Sequence, residues 1–233
     1  MQIQVQNYKK ANEVLYVLNA VEKIAGGTVS KIAIQKLLYL SACLAPIKNL
    51  VLAFIKFHRI QRGPYSSEIQ NIVDHLVAYD LIKIVQFKVL YEKNSIAYYQ
   101  ITDGGKKAVA LLTKYSVEEE KYWWIESVAK LAYIFSMEKH ISDNDQYEGL
   151  DKIVYLVYQE HTFKEAKTNK KFKALIDFEN SDGATQLIID FVKNYLQENI
   201  ESLSIHDERK QAELILLAFF EQFLANYIEE QNA

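Results

Sequence analysis

Seven basic residues in the first half of the chain are candidates for phosphate contact, because lysine and arginine neutralise the charge of a nucleic-acid backbone. They are Arg59, Arg62, Lys83, Lys88, Lys93, Lys106 and Lys107. Among them lies a predicted helix that carries Ser67, Gln70 and Asn71 on its polar side. The amides of Gln70 and Asn71 match the hydrogen-bonding edge of adenine. These ten residues form the candidate DNA-binding site, and duplex DNA is a candidate partner.

The same predicted helix also carries acidic residues. Glu68 and Asp74 lie on it, and neither Lys nor Arg occurs between residues 66 and 79. Since carboxylates repel phosphates, this helix is a poor reader of the major groove. The basic residues therefore indicate phosphate contact beside the helix, or an ordinary solvated surface, more than they indicate the reading of bases.

Sequence motifs for catalysis or cofactor binding are absent. Neither G-x-x-x-x-G-K-[ST] nor G-x-G-x-x-G occurs. The five histidines share no metal-ligand spacing with one another or with Cys43. Cys43 itself lies in an apolar helical stretch, which predicts a small buried hydrophobic residue. We therefore expect a protein that is not an enzyme, with no catalytic residues, metal or cofactor.

The net charge of -3 over 233 residues hides an asymmetry between two halves. Residues 1–116 hold 15 Lys and Arg against 7 Asp and Glu, a net charge of +8; residues 117–233 hold 12 against 23, a net charge of -11. The asymmetry predicts nucleic-acid contact by the basic half, or docking of the acidic half on it. An apolar content of 50% is enough for a core. One cysteine and the lack of a long uncharged apolar run predict a cytoplasmic protein without membrane contact.

Apolar spacing predicts a mixed fold for residues 1–116. We expect helices over 8–25, 31–44, 66–79 and 106–114, and strands over 50–60, 82–91 and 96–102. Gly26 should end the first helix, Ser30 should cap the second, and Ser66 or Ser67 should cap the third, where Ser67 with Gln70 fits a capping box. The two later strands form a hairpin. This element order is that of a winged helix-turn-helix, in which the hairpin is the wing.

Three sequence blocks resemble a known family. KIAIQKLLY at residues 31–39 is similar to a K-L-Q-K-L-L-Y helix, GPYS at residues 63–66 opens the next helix, and a tyrosine-rich hairpin closes on ITDGGKK. Over residues 9–113 the chain thus resembles the Panacea (SocA-like) antitoxin domain and related uncharacterised winged-helix proteins of bacteria and phages. Asp80 departs from the family pattern, which has Gly there. The resemblance implies a winged helix that binds DNA, a toxin or another partner, without catalysis.

Residues 117–233 contain no proline and show helical apolar spacing throughout. We expect helices over 117–140, 148–160, 170–178, 184–197 and 207–231, packed as an all-α bundle. The predicted fold class is therefore α+β, with a basic winged-helix domain at 1–116 and an acidic α-helical domain at 117–233. The last helix is either central to the bundle or forms a dimer or partner surface.

Two functional hypotheses from different classes follow. In the first, the chain is a non-catalytic DNA-binding protein, either a transcriptional regulator or a DNA-associated subunit of a phage-defence or toxin–antitoxin system. In the second, it is an antitoxin-like interaction module that binds and neutralises, or scaffolds, a partner protein. In both, the C-terminal helices are the expected surface for a protein partner or a homodimer.

Overall fold

A computed structural model describes residues 2–60, 63–91, 94–139, 141, 147–168, 175–178, 184–203 and 207–232. The helices in these ranges are α1 (Gln2–Ala25), α2 (Lys31–Leu44), α3 (Ser67–Ala78), α4 (Asp103–Leu112), α5 (Ser116–Ser136), α6 (Ile153–Gln159), α7 (His161–Thr168), α8 (Ala184–Leu203) and α9 (Glu208–Asn232). The strands are β1 (Val29–Ser30), β2 (Lys56–Ile60), β3 (Gly63–Tyr65), β4 (Ile82–Tyr91), β5 (Asn94–Ile101) and β6 (Leu175–Asp177). Two 3-10 turns span Ala45–Lys48 and Gly149–Lys152. The fold is mixed α+β and mostly helical.

The described strands form two antiparallel sheets of three strands each. One has the order β1-β5-β4, and the other has the order β3-β2-β6. In the first sheet the hairpin pairs Ile82 with Ile101 and Phe87 with Ala97, and its register shifts between Ile84 and Gln86. Within the described residues, β4 is therefore an edge strand.

One apolar core includes residues from both halves of the chain. It extends from Val14 in α1 to Tyr227 in α9, and α2 is buried from Ala33 to its end. The indole of Trp124 in α5 is fully buried and donates a hydrogen bond to the carbonyl oxygen of Ser41 in α2, at 2.9 Å. α5 begins at Ser116, beside the predicted domain boundary, which remains a prediction from charge and spacing.

The helix caps and helix ends predicted for the first half of the chain are partly confirmed and partly wrong. Ser30 caps α2 as predicted, since its Oγ accepts a hydrogen bond from the backbone N–H of Ala33 at 3.0 Å. Gly26 adopts the predicted left-handed conformation, with φ of +62°. Of the two serines predicted as caps of α3, Ser66 is the N-cap. The predicted capping box of Ser67 with Gln70 is wrong, because Gln70 instead donates to Asp74 Oδ1 at 2.6 Å.

The expected all-α second half is wrong at residues 175–177. These residues form β6, which pairs Ile176 with Phe57 of β2. Ile176 is buried there. The sequence of this short apolar run fits either a helix or a strand, and its hydrogen bonds to the distant strand β2 make it a strand. α7 lies where a break was expected, because Glu160 caps its first turn by accepting hydrogen bonds from the N–H groups of Thr162 and Phe163, both at 2.8 Å.

The predicted strand over 50–60 is also too long. Only Lys56–Ile60 is a strand. The buried carboxylate of Glu13 accepts hydrogen bonds from the N–H groups of Ala53 and Phe54, at 2.6 and 3.3 Å, and holds that segment as a loop. Burial raises the pKa of Glu13 to about 7.

The last helix is largely central, with Phe219, Phe220 and Phe223 buried, although Leu214 stays half exposed. None of the described helices combines the length and the apolar composition that crossing a membrane requires.

Candidate interaction surface

The blocks that carry the family resemblance contact each other. The side-chain amide of Gln35 donates to the carbonyl oxygen of Ser66 at 2.8 Å and accepts from the N–H of Ser66 at 2.9 Å. Next to it, Lys36 Nζ donates to the carbonyl oxygen of Pro64 at 2.8 Å. These bonds hold the start of α3 against α2. The blocks therefore have a structural role in this chain, which is to orient α3.

Lys36 is a buried ammonium group at this junction. Its side chain is 3% exposed, and burial lowers its pKa to about 7. Gly63 lies against this ammonium group, and a Cβ at that position would be only 3.0 Å from Lys36 Nζ. Its φ of +91° also favours glycine. Within the described residues no carboxylate forms an ion pair with Lys36. Burial of this cation therefore costs stability.

The hairpin of β4 and β5 has two different faces. On one face, Lys88 forms an ion pair with Glu148 at 2.8 Å, and Tyr98 donates a hydrogen bond to Asp151 at 3.2 Å. On the other face, Phe87 lies opposite Ala97. The polar face is therefore docked on residues 148–151, and the second face is turned away from them.

The second face carries large apolar side chains in contact with solvent. Val85, the extra residue of a β-bulge, precedes Phe87 and Val89, which occupy alternate positions of β4 and so share this face; we call these three residues the hairpin stripe. They are 41%, 64% and 72% exposed. Exposed apolar side chains that lie together in this way are a candidate contact surface for another molecule.

Asp151 fixes the polar face of the hairpin. It is 4% exposed and accepts hydrogen bonds from the hydroxyls of Ser30 and Tyr98. Burial raises its pKa to about 6. Since Ser30 also caps α2, this carboxyl joins β1, β5 and the start of α2 to the second half of the chain. The sequence gives no local signal for this role, because the partners lie 53 and 121 residues away.

The predicted polar site residues lie on the exposed side of α3. Ser67 and Asn71 are exposed, whereas Gln70 is half-buried and bonded to Asp74. Glu68, on the same helix, pairs with Lys10 at 2.5 Å. The exposed surface of α3 therefore combines neutral polar groups with the carboxylate of Asp74.

The predicted basic residues that the structure describes are spread over three elements, and Lys88 and Lys106 are paired with acids. Lys88 pairs with Glu148 as described, and Lys106 in α4 pairs with Glu22 at 2.6 Å. Lys83 in β4 and Lys107 in α4 are exposed, and Arg59 lies half-buried on β2 of the other sheet. Arg62 and Lys93 lie outside the described residues.

Glu160 is the most heavily hydrogen-bonded buried carboxylate that the structure describes. Besides the two N–H groups of α7, it accepts from Tyr39 at 2.6 Å, from Cys43 Sγ at 3.2 Å and from Thr185. Burial and the nearby carboxylate raise the pKa of Cys43 well above its usual value. Through these bonds Glu160 joins α2, α7 and α8. Among the described residues no three His, Cys, Asp or Glu side chains are arranged to hold a metal ion.

Comparison with models of protein families finds no match, and comparison with curated proteins finds no relative.

Proposed function

We propose that the chain is a non-catalytic protein-interaction module that binds a protein partner through the hairpin stripe. The exposure of Val85, Phe87 and Val89 within five residues of one strand carries this proposal. Solvent contact at three large apolar side chains is costly, and docking of another protein removes it. A cytoplasmic location belongs to the same proposal, since the single cysteine is a buried free thiol.

We also propose that residues 9–113 are a winged-helix unit of the kind that the Panacea resemblance implies. The order α1, β1, α2, α3, β4, β5 supports it, and so does the pairing of β1 with β5, which adds a third strand to the hairpin. Strands β2 and β3 stand between α2 and α3 as an addition to that order. In this frame α3 is the recognition helix and the hairpin is the wing.

The charges around the hairpin favour protein over DNA. Surface ion pairs are weak, so phosphates could displace Glu148 from Lys88 or Glu22 from Lys106. The displaced carboxylates would nevertheless stay beside the phosphates and repel them. Asp74 on α3 adds to this repulsion. An apolar stripe among these carboxylates suits an apolar protein surface better than a phosphate backbone.

The test is affinity purification of the tagged full chain from its native host, with nuclease added to the lysate. We expect a co-purified protein that survives nuclease and is lost from the double variant Phe87→Ser with Val89→Ser. The matched control is Val51→Ser with Tyr115→Ser, which alters two side chains on different segments of the chain that are 78% and 70% exposed. Equal recovery of the partner by both double variants would refute the role of the stripe, and loss of the partner on nuclease treatment would refute a protein partner.

DNA binding is the second candidate, and the exposed Lys83 and Lys107 in a half of net charge +8 favour it. Its test is fluorescence anisotropy with duplex DNA at two salt concentrations. If DNA is the partner, affinity falls steeply as salt rises, and the variant Lys83→Ala with Lys107→Ala weakens binding and lowers the salt dependence. A chain that does not bind duplex DNA even at low salt excludes DNA as the partner.

A further inference from the structure

The outer edge of β4 is open to a further strand. β4 is ten residues long and pairs with β5 on one side, and no other described strand pairs with it. Its side chains from Lys83 to Phe87, and that of Val89, are exposed. Such an edge presents unpaired backbone N–H and C=O groups, which are a template for pairing with another chain.

One usual protection of such an edge, a lysine side chain, is weak here, whereas β4 does keep a β-bulge at Val85. Natural edge strands are commonly guarded by lysine side chains that would be buried unpaired if a strand were added. Lys88 does not guard the stripe, because its ammonium group is held by Glu148 on the opposite face of the hairpin. A strand added beside β4 would therefore gain backbone hydrogen bonds from its edge and apolar contacts from the hairpin stripe.

The sequence of β4 is complementary to itself in one antiparallel register. With Phe87 opposite Phe87 of a second copy, Val85 meets Val89 and Gln86 meets Lys88, so apolar groups face apolar groups. A two-fold axis at Gln86 would instead place Val89 opposite Lys83 of the second copy. A two-fold axis at Lys88 would place two lysines opposite each other. Aromatic and β-branched cross-strand pairs stabilise a sheet, whereas like charges directly opposite destabilise it.

We propose that a second copy of this chain binds at the hairpin stripe by antiparallel pairing of the two β4 strands across a two-fold axis at Phe87. This inference rests on the proposed function, because it names the protein that occupies the same surface. The result is one sheet with the order β1-β5-β4-β4-β5-β1 and an interface of the same residues on both copies. The register shifts of β4 lie at Val85 and Leu90, so its regular stretch is residues 86–89, and Val85 meets Val89 where that stretch ends.

Disulfide trapping tests the register in the full chain. Residues directly opposite in an antiparallel pair have Cα atoms roughly 4.5–5.5 Å apart, within the range that a disulfide spans. We therefore expect Phe87→Cys to form a covalent dimer within minutes under mild oxidation. The matched control is Ser95→Cys, an exposed position on β5 of the same hairpin. In the proposed dimer its two copies lie about three strand spacings, roughly 14 Å, apart and cannot be bridged. The native Cys43 is buried and does not compete.

Sedimentation equilibrium of the unmodified chain supplies the second readout. We expect a reversible increase with concentration from the 27.0 kDa of one chain toward twice that mass. Phe87→Lys should stay monomeric, because it places two ammonium groups opposite each other, and its circular dichroism and thermal melting should match the parent since Phe87 is exposed.

The outcomes separate this inference from the proposed function. A chain that stays monomeric at all concentrations, or Phe87→Cys that cross-links no faster than Ser95→Cys, overturns the dimer. If the affinity purification then still recovers a different protein that depends on the stripe, the proposed function stands without the dimer. A concentration-dependent dimer that Phe87→Lys leaves intact also overturns pairing at β4.

Discussion

Replacement of the buried ammonium of Lys36 by methionine should stabilise the protein, although it removes a hydrogen bond. Lys36 is 3% exposed, and its Nζ donates to the carbonyl oxygen of Pro64. Burial lowers its pKa from 10.5 to about 7. Methionine has a similar length and flexibility and fills the same space without a charge.

The structure sets the size of the effect. A pKa of about 7 in place of 10.5 corresponds to roughly 5 kcal/mol of cost for the protonated lysine. Loss of the bond to Pro64 leaves its carbonyl oxygen without that donor, which costs about 1–3 kcal/mol. We therefore expect Lys36→Met to raise the free energy of unfolding by about 2–4 kcal/mol at pH 6.

The pH dependence follows from the lowered pKa. Between pH 7 and 10.5 the unfolded chain keeps the proton that the folded chain has released, so the free energy of unfolding of the parent rises with pH. Below pH 7 both states are protonated, and the full cost is present. Lys36→Met lacks this titration. The advantage of the variant should thus be greatest at pH 6 and should shrink by about 1.4 kcal/mol for each pH unit above 7.

Urea unfolding followed by circular dichroism at pH 6, 7, 8 and 9 measures this difference. The control is Lys107→Met, an exposed position in α4 whose replacement should change stability by less than about 0.5 kcal/mol at every pH. The reasoning is refuted if Lys36→Met destabilises the chain at pH 6, or if its effect is the same from pH 6 to pH 9.

Two further pairs of variants test how the hairpin and α3 are positioned. Gly105→Ala should lower the free energy of unfolding by about 1–3 kcal/mol or more, because its Cβ would overlap the backbone carbonyl oxygen of Leu81 and lie 2.6 Å from Cγ1 of Ile101. Gly104→Ala, whose Cβ has its nearest neighbour at 3.5 Å, should be neutral or stabilising by up to about 1 kcal/mol. Asp80→Gly should stabilise by about 0.5–1 kcal/mol, since Asp80 has φ of +55°, whereas Asp74→Gly inside α3 should destabilise by a similar amount. Thermal melts of each pair check the sign, and the same sign for both members of a pair would contradict the account.

The Asp80 position shows what a sequence resemblance can predict. The family pattern has Gly there, and in this chain Asp80 is the left-handed residue just after α3. Its N–H donates to the carbonyl oxygen of Val77, and the N–H of Leu81 donates to that of Leu76, both at 3.0 Å. This pair of bonds is a Schellman motif, which favours glycine. The departure at residue 80 thus changes the cost of the turn without changing its geometry.

Local signals predicted the elements whose causes are local. The cap at Ser30, the end of α1 at Gly26 and the buried positions Ile69, Ile72 and Val73 of α3 follow from spacing and residue type alone. The loop over residues 51–54 and the strand β6 do not, since their conformations depend on Glu13 and on β2, which are distant in sequence.

The candidate site was less predictable than the fold for an electrostatic reason. The sequence shows that Lys88 and Lys106 are basic and near the hairpin, but not that Glu148 and Glu22 neutralise them across 60 and 84 residues of chain. The stripe could have been noticed, because Val85, Phe87 and Val89 alternate with polar residues. Alternation alone does not say whether the apolar face of a strand meets the core or solvent.

Photo-cross-linking at the stripe in the native host tests the central claim most directly. The full chain would carry p-benzoylphenylalanine in place of Phe87, or in place of Tyr115, which is 70% exposed, as the control. The account predicts an adduct at position 87 that protease removes and nuclease does not, formed with a partner protein or a second copy of the chain, and no matching adduct at position 115. An adduct at position 87 that nuclease removes, or no adduct there at all, would contradict it.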